Sequence, residues 1–219
     1  MLSGPSFIPQ TVKKVIILCH GYGADGEDLM GLVPYLKEHL PDTAFFAPNA
    51  PIDLEYGYAW FPLEDYHPGQ PIDTAYLTEL TKRAQKPAHE LWDFIQDIQE
   101  KYHLKTSDIT LIGFSQGGLV VAYTALTQAE AVGHVIALSA IPMIWSDDLS
   151  KRFHPQHIPF FITHGSADPI VPVAATDINV TELRKAGQDP ALFISEGIGH
   201  AIDQPTLDHT IKFIQGNSN

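Results

Sequence analysis

Six short apolar runs punctuate the chain, and stretches of helical period separate them. They are Lys14–Cys19 (KVIILC), 43–47 (TAFFA), 109–114 (ITLIGF), 134–140 (HVIALSA), 159–163 (PFFIT) and 191–195 (ALFIS). Most are continuous rather than alternating, the pattern of parallel strands covered on both faces. Residues 5–12 offer a further, antiparallel strand, which Pro5 and Pro9 confine to an edge. Between the runs lie apolar stripes of helical spacing. Leu29, Leu32, Val33, Leu36 and Leu40 form one, and Leu77, Leu80, Ala84, Ala88, Leu91, Ile95 and Ile98 a longer one. Pro87 inside the longer stripe predicts a kink or break near Lys86. Further stripes run through Leu119, Val120, Tyr123 and Leu126, through Ile178 and Leu183, and through Ile202, Leu207, Ile211 and Ile214. Strand then helix, repeated, specifies an α/β fold: a mainly parallel sheet of six or seven strands with helices on both faces. No repeat or linker divides residues 1–219, so a single domain is expected.

Two stretches break the alternation. Residues 49–73 carry four prolines and a cluster of aromatics, and residues 142–158 begin with Met143, Ile144 and Trp145. Both exceed the usual connection of about four to six residues and are therefore functional-loop candidates.

The pentapeptide Gly113-Phe114-Ser115-Gln116-Gly117 directly follows the run 109–112 and opens a helical stripe. A serine that attacks a carbonyl must project from a very tight strand-to-helix turn. Glycines two places either side remove the side chains that would collide there. The same turn places the serine at a helix N-terminus, where backbone N–H groups can receive developing negative charge. A hydroxyl also needs a base oriented by a carboxylate. His200 follows the last apolar run and Asp168 the preceding one, both where open α/β sheets bind ligands. The chain order Ser115, Asp168, His200 is nucleophile, acid, base. Asp203 and Asp177 are the substitutes for the acid. The glycine-rich loop His20-Gly21-Tyr22-Gly23 after the first strong run suits an oxyanion hole, with backbone N–H groups of Tyr22 and Gln116 as donors. His20 is expected to hold that loop by hydrogen bonding.

Composition narrows the partners. Thirteen Lys+Arg against 26 Asp+Glu give a net charge of −13, which repels nucleic acid and anionic lipid headgroups. Neither nucleic acid nor stable membrane association is expected. The sole cysteine, Cys19, lies in an apolar run as a buried structural thiol and excludes a disulfide framework. Neither a phosphate-loop motif nor H-E-x-x-H occurs, and His154 with His157 lacks an evident acidic partner, so neither metal nor cofactor is expected. Met1 to Gln10 shows no secretory pattern, and a cytoplasmic location is the expectation.

HGYGADGEDL (20–29), GFSQGG (113–118), HGSADPIVP (164–172) and GIGHAI (197–202) together resemble the phospholipase/carboxylesterase family of α/β-hydrolases. That family includes acyl-protein thioesterases and bacterial carboxylesterases. The resemblance spans about residues 14–214. It implies the same Ser115, Asp168 and His200 roles, the same oxyanion donors and no large cap domain. It also implies that Trp60, Phe61, Met143, Ile144 and Trp145 lie beside the substrate. Tyr22-Gly23-Ala24-Asp25 looks more like the bacterial carboxylesterase branch than the Leu-Gly-Asp sequence typical of eukaryotic thioesterases. The expectation is therefore a carboxylesterase for short- to medium-chain acyl esters. A thioesterase or lysophospholipase for long chains is the alternative. A dienelactone hydrolase would usually present cysteine where Ser115 stands, and a non-catalytic binding protein would be expected to lose a triad group. The aromatics near 56–66 and 141–145 leave monomer and homodimer both open.

Overall fold

A computed structural model describes residues 2–63, 73–151, 153 and 156–216. The strands are β1 (Ser6–Phe7), β2 (Lys14–Cys19), β3 (Thr43–Phe46), β4 (Ile52–Leu54), β5 (Gly57–Ala59), β6 (Ile109–Phe114), β7 (His134–Leu138), β8 (Phe160–Gly165) and β9 (Ala191–Ser195). The helices are α1 (Gly26–Met30), α2 (Val33–His39), α3 (Thr74–Arg83), α4 (Gln85–Tyr102), α5 (Gln116–Thr127), α6 (Asp147–Ser150), α7 (Ala175–Lys185) and α8 (Gln204–Ile214). Seven strands form one sheet in the order β1-β3-β2-β6-β7-β8-β9. Only β1 runs antiparallel, pairing Ser6 with Phe46 and Phe7 with Phe45.

The continuous apolar runs follow from burial on both faces. Along β2, Val15, Ile17 and Cys19 enter one core, while Ile16 and Leu18 enter the other. Leu111 and Ile112 divide in the same way on β6, as do Phe160 and Phe161 on β8. The first core takes its helical residues from α3, α4, α5, α6 and α7, and the second from α1, α2 and α8.

The long stripe over 77–98 breaks at Ala84, two residues before the expected point. Pro87 then falls in the first turn of α4, where a missing N–H costs no intrahelical bond. Helix α5 departs from the stripe expectation. Its residues from Gln116 to Leu126 are all buried, because it packs against the sheet on one side and α4 on the other. The stretch 49–73 contains the hairpin β4–β5, which the sequence reading did not anticipate; residues 64–72 of that stretch, and His154, lie outside the described residues. Strand order, crossovers and helical layers are those of an α/β-hydrolase, with no large cap inserted among the described residues.

Candidate active site

Five loops at the carboxyl ends of parallel strands converge on one cavity of about 450 Å³. Gly21 and Tyr22 come from the loop after β2, Ser115 from the turn after β6, and Ile141 from the segment after β7. Ile170 and Val171 follow β8, and His200 follows β9. Leu29, Leu63 and Phe114 complete the apolar wall, and Asp28 brings a carboxylate to it.

Ser115 has φ 53° and ψ −113°, a conformation that side-chain-bearing residues rarely adopt. Main-chain bonds hold it there: its N–H donates to Leu138 O at 2.9 Å, and its carbonyl accepts from Gly118 N at 3.1 Å and Ile141 N at 3.2 Å. The flanking glycines are dictated by space. A Cβ on Gly113 would stand 2.3 Å from Gly117 O, and one on Gly117 would stand 2.1 Å from Cys19 O. Strand, turn and helix therefore pack backbone to backbone, and the serine is carried at the N-terminus of α5.

Asp168 is held by four contacts. Its Oδ1 accepts from Ile170 N at 2.8 Å and Val171 N at 2.9 Å. Its Oδ2 lies 2.7 Å from His200 Nδ1 and 3.3 Å from His164 Nε2. The carboxylate is wholly buried, whereas the His200 side chain is 16% exposed, with its ring centroid 4.6 Å from that of Phe114. A carboxylate only accepts, so His200 Nδ1 carries the proton and Nε2 is left as the acceptor. Asp203, one substitute acid, is otherwise engaged: it caps α8 through Thr206 N at 3.1 Å and accepts from Ser195 Oγ at 2.6 Å. Asp177 sits exposed in the first turn of α7.

The loop after β2 is buttressed from outside. Gly23 N donates to Tyr58 O and Tyr58 N to Ala24 O, both at 2.8 Å, so β5 pairs with the loop as a strand would. The imidazole of His20 is buried beneath it. Its Nε2 accepts from Ala50 N at 3.0 Å, which leaves Nδ1–H to donate to Gly21 O at 2.7 Å. Burial pushes this ring below the ordinary histidine range.

Trp60, Phe61, Met143, Ile144 and Trp145, the expected substrate contacts, are packed as follows. Trp60 and Phe61 are buried, and they join the loop after β2 to the serine turn. Trp60 N donates to Gln116 Oε1 at 2.8 Å, Gln116 Nε2 donates to Phe61 O at 2.7 Å, and Trp60 Nε1 donates to His20 O at 2.9 Å. Met143 and Trp145 are buried in the core beside half-buried Ile144. Their segment is clamped by side chains: Met143 N to Asn179 Oδ1 at 2.9 Å, Ile144 N to Thr81 Oγ1 at 3.0 Å, and Trp145 N to Glu182 Oε2 at 3.1 Å. None of the five lines the cavity that holds Ser115; Leu29, Leu63, Ile141, Ile170 and Val171 do. The signal for Ile141, Ile170 and Val171 was their position just past a strand's carboxyl end.

Cys19 is completely buried, and burial pushes its thiol far above the reactive range. Among the described residues, no three His, Cys, Asp or Glu side chains gather as a metal site. No helix among them is long and apolar enough to cross a membrane.

The sheet and the strained serine turn define an α/β-hydrolase. The phospholipase/carboxylesterase family model matches residues 9–218. Acyl-protein thioesterase 1 of Aspergillus fumigatus is 27% identical over 230 positions, covering 96% of this chain and 91% of that protein. Its counterpart from Kluyveromyces lactis is 31% identical over 175 positions, covering 75% of this chain and 73% of its own. Among solved structures, esterase PE8 is 32% identical, with a TM-score of 0.88 and 99% of each chain covered. This chain belongs to the phospholipase/carboxylesterase family. It is a serine ester hydrolase.

Proposed function

We propose that the chain, acting as a single hydrolase domain, cleaves short- to medium-chain acyl esters by two-step acyl transfer, with Ser115 as nucleophile, His200 as base and Asp168 as acid. The observation that supports this reading is that Ser115, on its strained turn, and His200, whose Nδ1 lies 2.7 Å from Asp168 Oδ2, line one apolar-walled cavity. His200 Nε2 accepts the Ser115 proton as the hydroxyl attacks the ester carbonyl. Asp168 holds the imidazole in the required tautomer and stabilises its cationic form. The backbone N–H groups of Tyr22 and Gln116 receive the tetrahedral oxyanion, a donor of this kind being worth roughly 3–4 kcal/mol. His200 then protonates the leaving alcohol, and water, deprotonated by the same ring, releases the acid from Ser115.

Chain length follows from the wall. Leu29, Leu63, Ile141, Ile170 and Val171 give the acyl chain apolar surface in a cavity of modest volume. Each buried methylene contributes about 0.8 kcal/mol until the wall ends. A second reading, cleavage of long-chain acyl thioesters, is favoured by the name carried by the fungal relatives. Measuring kcat/KM across p-nitrophenyl esters and acyl thioesters from C2 to C16, below their aggregation thresholds, separates the two. A maximum at C2–C8 esters is expected, whereas a consistent maximum at C14–C16 thioesters replaces the first reading by the second. Ser115→Ala should remain folded and lose nearly all turnover.

A further inference from the structure

Beside Asp168 lies a second imidazole, close to the same carboxylate oxygen as His200, that the triad chemistry does not use. His164 stands near the end of β8 with its side chain fully buried. Its Nε2 lies 2.8 Å from Val171 O and 3.3 Å from Asp168 Oδ2. A carbonyl can only accept, so the proton is on Nε2, hydrogen-bonded to Val171 O and within 3.3 Å of the Asp168 carboxylate. Nδ1 is buried and has no hydrogen-bond partner among the described residues. A proton added there would face no acceptor, and the ring is therefore built to remain neutral. Burial lowers its proton affinity in the same sense, against the opposing pull of Val171 O and Asp168. The titratable groups that act on it are Asp168, on the loop after β8, and His200, after β9.

We propose that His164 is a positioning residue for the acyl-transfer reaction: its neutral Nε2–H holds Asp168 Oδ2 at the angle that His200 needs. The proposal rests on the triad reading given above. The contacts divide the work. Oδ1 is fixed by two backbone N–H groups of its own loop, which leave the carboxylate free to pivot about that atom. Among the described residues, the Oδ2 atom that meets His200 has one further polar side-chain neighbour, His164 Nε2 at 3.3 Å. The same N–H pins Val171 O, so the carboxylate and the loop that lines the cavity share one anchor. His164 touches neither the cavity nor the reacting atoms. It acts through Asp168.

The test compares His164→Leu, which deletes the donor, with His164→Gln, whose terminal amide N–H reaches about the same point. Misplacing a reacting group by a fraction of an ångström to an ångström lowers turnover by roughly ten- to a hundredfold. His164→Leu should lose that much in kcat on p-nitrophenyl butyrate with KM nearly unchanged, and His164→Gln should recover most of it. Wild-type kcat in His164→Leu, a loss confined to KM, or a loss that His164→Gln does not recover would each overturn the proposal. Ser115→Ala, assayed alongside, separates the levels. Retained activity there breaks the triad reading itself, whereas its loss together with wild-type kcat in His164→Leu breaks the role of His164 alone. Should His164→Leu fail to fold, nitrogen-15 NMR of the wild-type protein decides: His164 is expected as the neutral Nε2–H tautomer from pH 5 to 8. An Nδ1–H tautomer or a titrating ring overturns the proposal.

Discussion

At the residue scale, Ser115 combines a reactive position with an unfavourable backbone conformation. Positive φ at a non-glycine residue costs on the order of 1–3 kcal/mol, and here the surrounding main-chain bonds enforce it. Ser115→Gly relieves that strain while adding unfolded-state entropy. We expect a gain of about 1 kcal/mol in urea unfolding relative to Ser115→Ala, with turnover abolished in both. Gln116 illustrates what the motif conceals. Its place after the serine makes its backbone N–H the expected oxyanion donor. The role of its side chain, clipping Trp60 and Phe61 to the same turn, was not legible, because those partners lie 55 and 56 residues away in sequence. Gln116→Leu leaves a buried N–H and a buried carbonyl unpaired, at about 1–3 kcal/mol each. The expected outcome is a lower urea midpoint together with reduced kcat, and a variant with an unchanged midpoint would remove Gln116 from the frame.

At the element scale, legibility tracked burial. Strands β2 and β6 match the apolar runs residue for residue, since strands covered on both faces show as unbroken hydrophobic stretches; β9, at the sheet edge, matches too although its Leu192 is exposed. The hairpin β4–β5 gave no such signal. Its strands are three residues each, and what holds them is the bonding of Tyr58 to the loop after β2, which local sequence does not encode. The packing of the five expected substrate contacts has a related cause. Large aromatics in a long loop suggest a groove, but Trp60 and Phe61 face inward because backbone bonds to Gln116 turn them there. The segment 143–145 is likewise drawn into the core by Asn179, Thr81 and Glu182. Asn179→Leu, close in volume, strands the buried Met143 N–H. A loss of about 1–3 kcal/mol in denaturant unfolding is expected, with KM changing little because the segment does not line the cavity.

For the whole molecule, buried histidines tie stability to pH. Burial lowers the proton affinity of His20, His134 and His164 in the folded chain, with Lys14 adding to the effect at His134. The unfolded chain takes up these protons as pH falls through about 6.5, while the folded chain resists. Unfolding therefore binds protons. The stability contribution is complete above about pH 6.5 and is lost as pH falls toward the folded values, by at most about 1.4 kcal/mol per pH unit for each ring. Urea midpoints measured from pH 7.5 down to 5 should decline below pH 6.5; a flat profile would contradict the buried-neutral assignment of these rings.

The central claim is that Ser115 is the residue acylated during turnover. A fluorophosphonate, which phosphorylates an activated serine irreversibly, tests it directly when incubated with the full chain and followed by intact-mass and peptide mass spectrometry. The account predicts one adduct per chain, on the peptide carrying Ser115, rising in step with loss of esterase activity and absent from Ser115→Ala. Complete inactivation with Ser115 unmodified, or an adduct on another residue that tracks the loss, would contradict it.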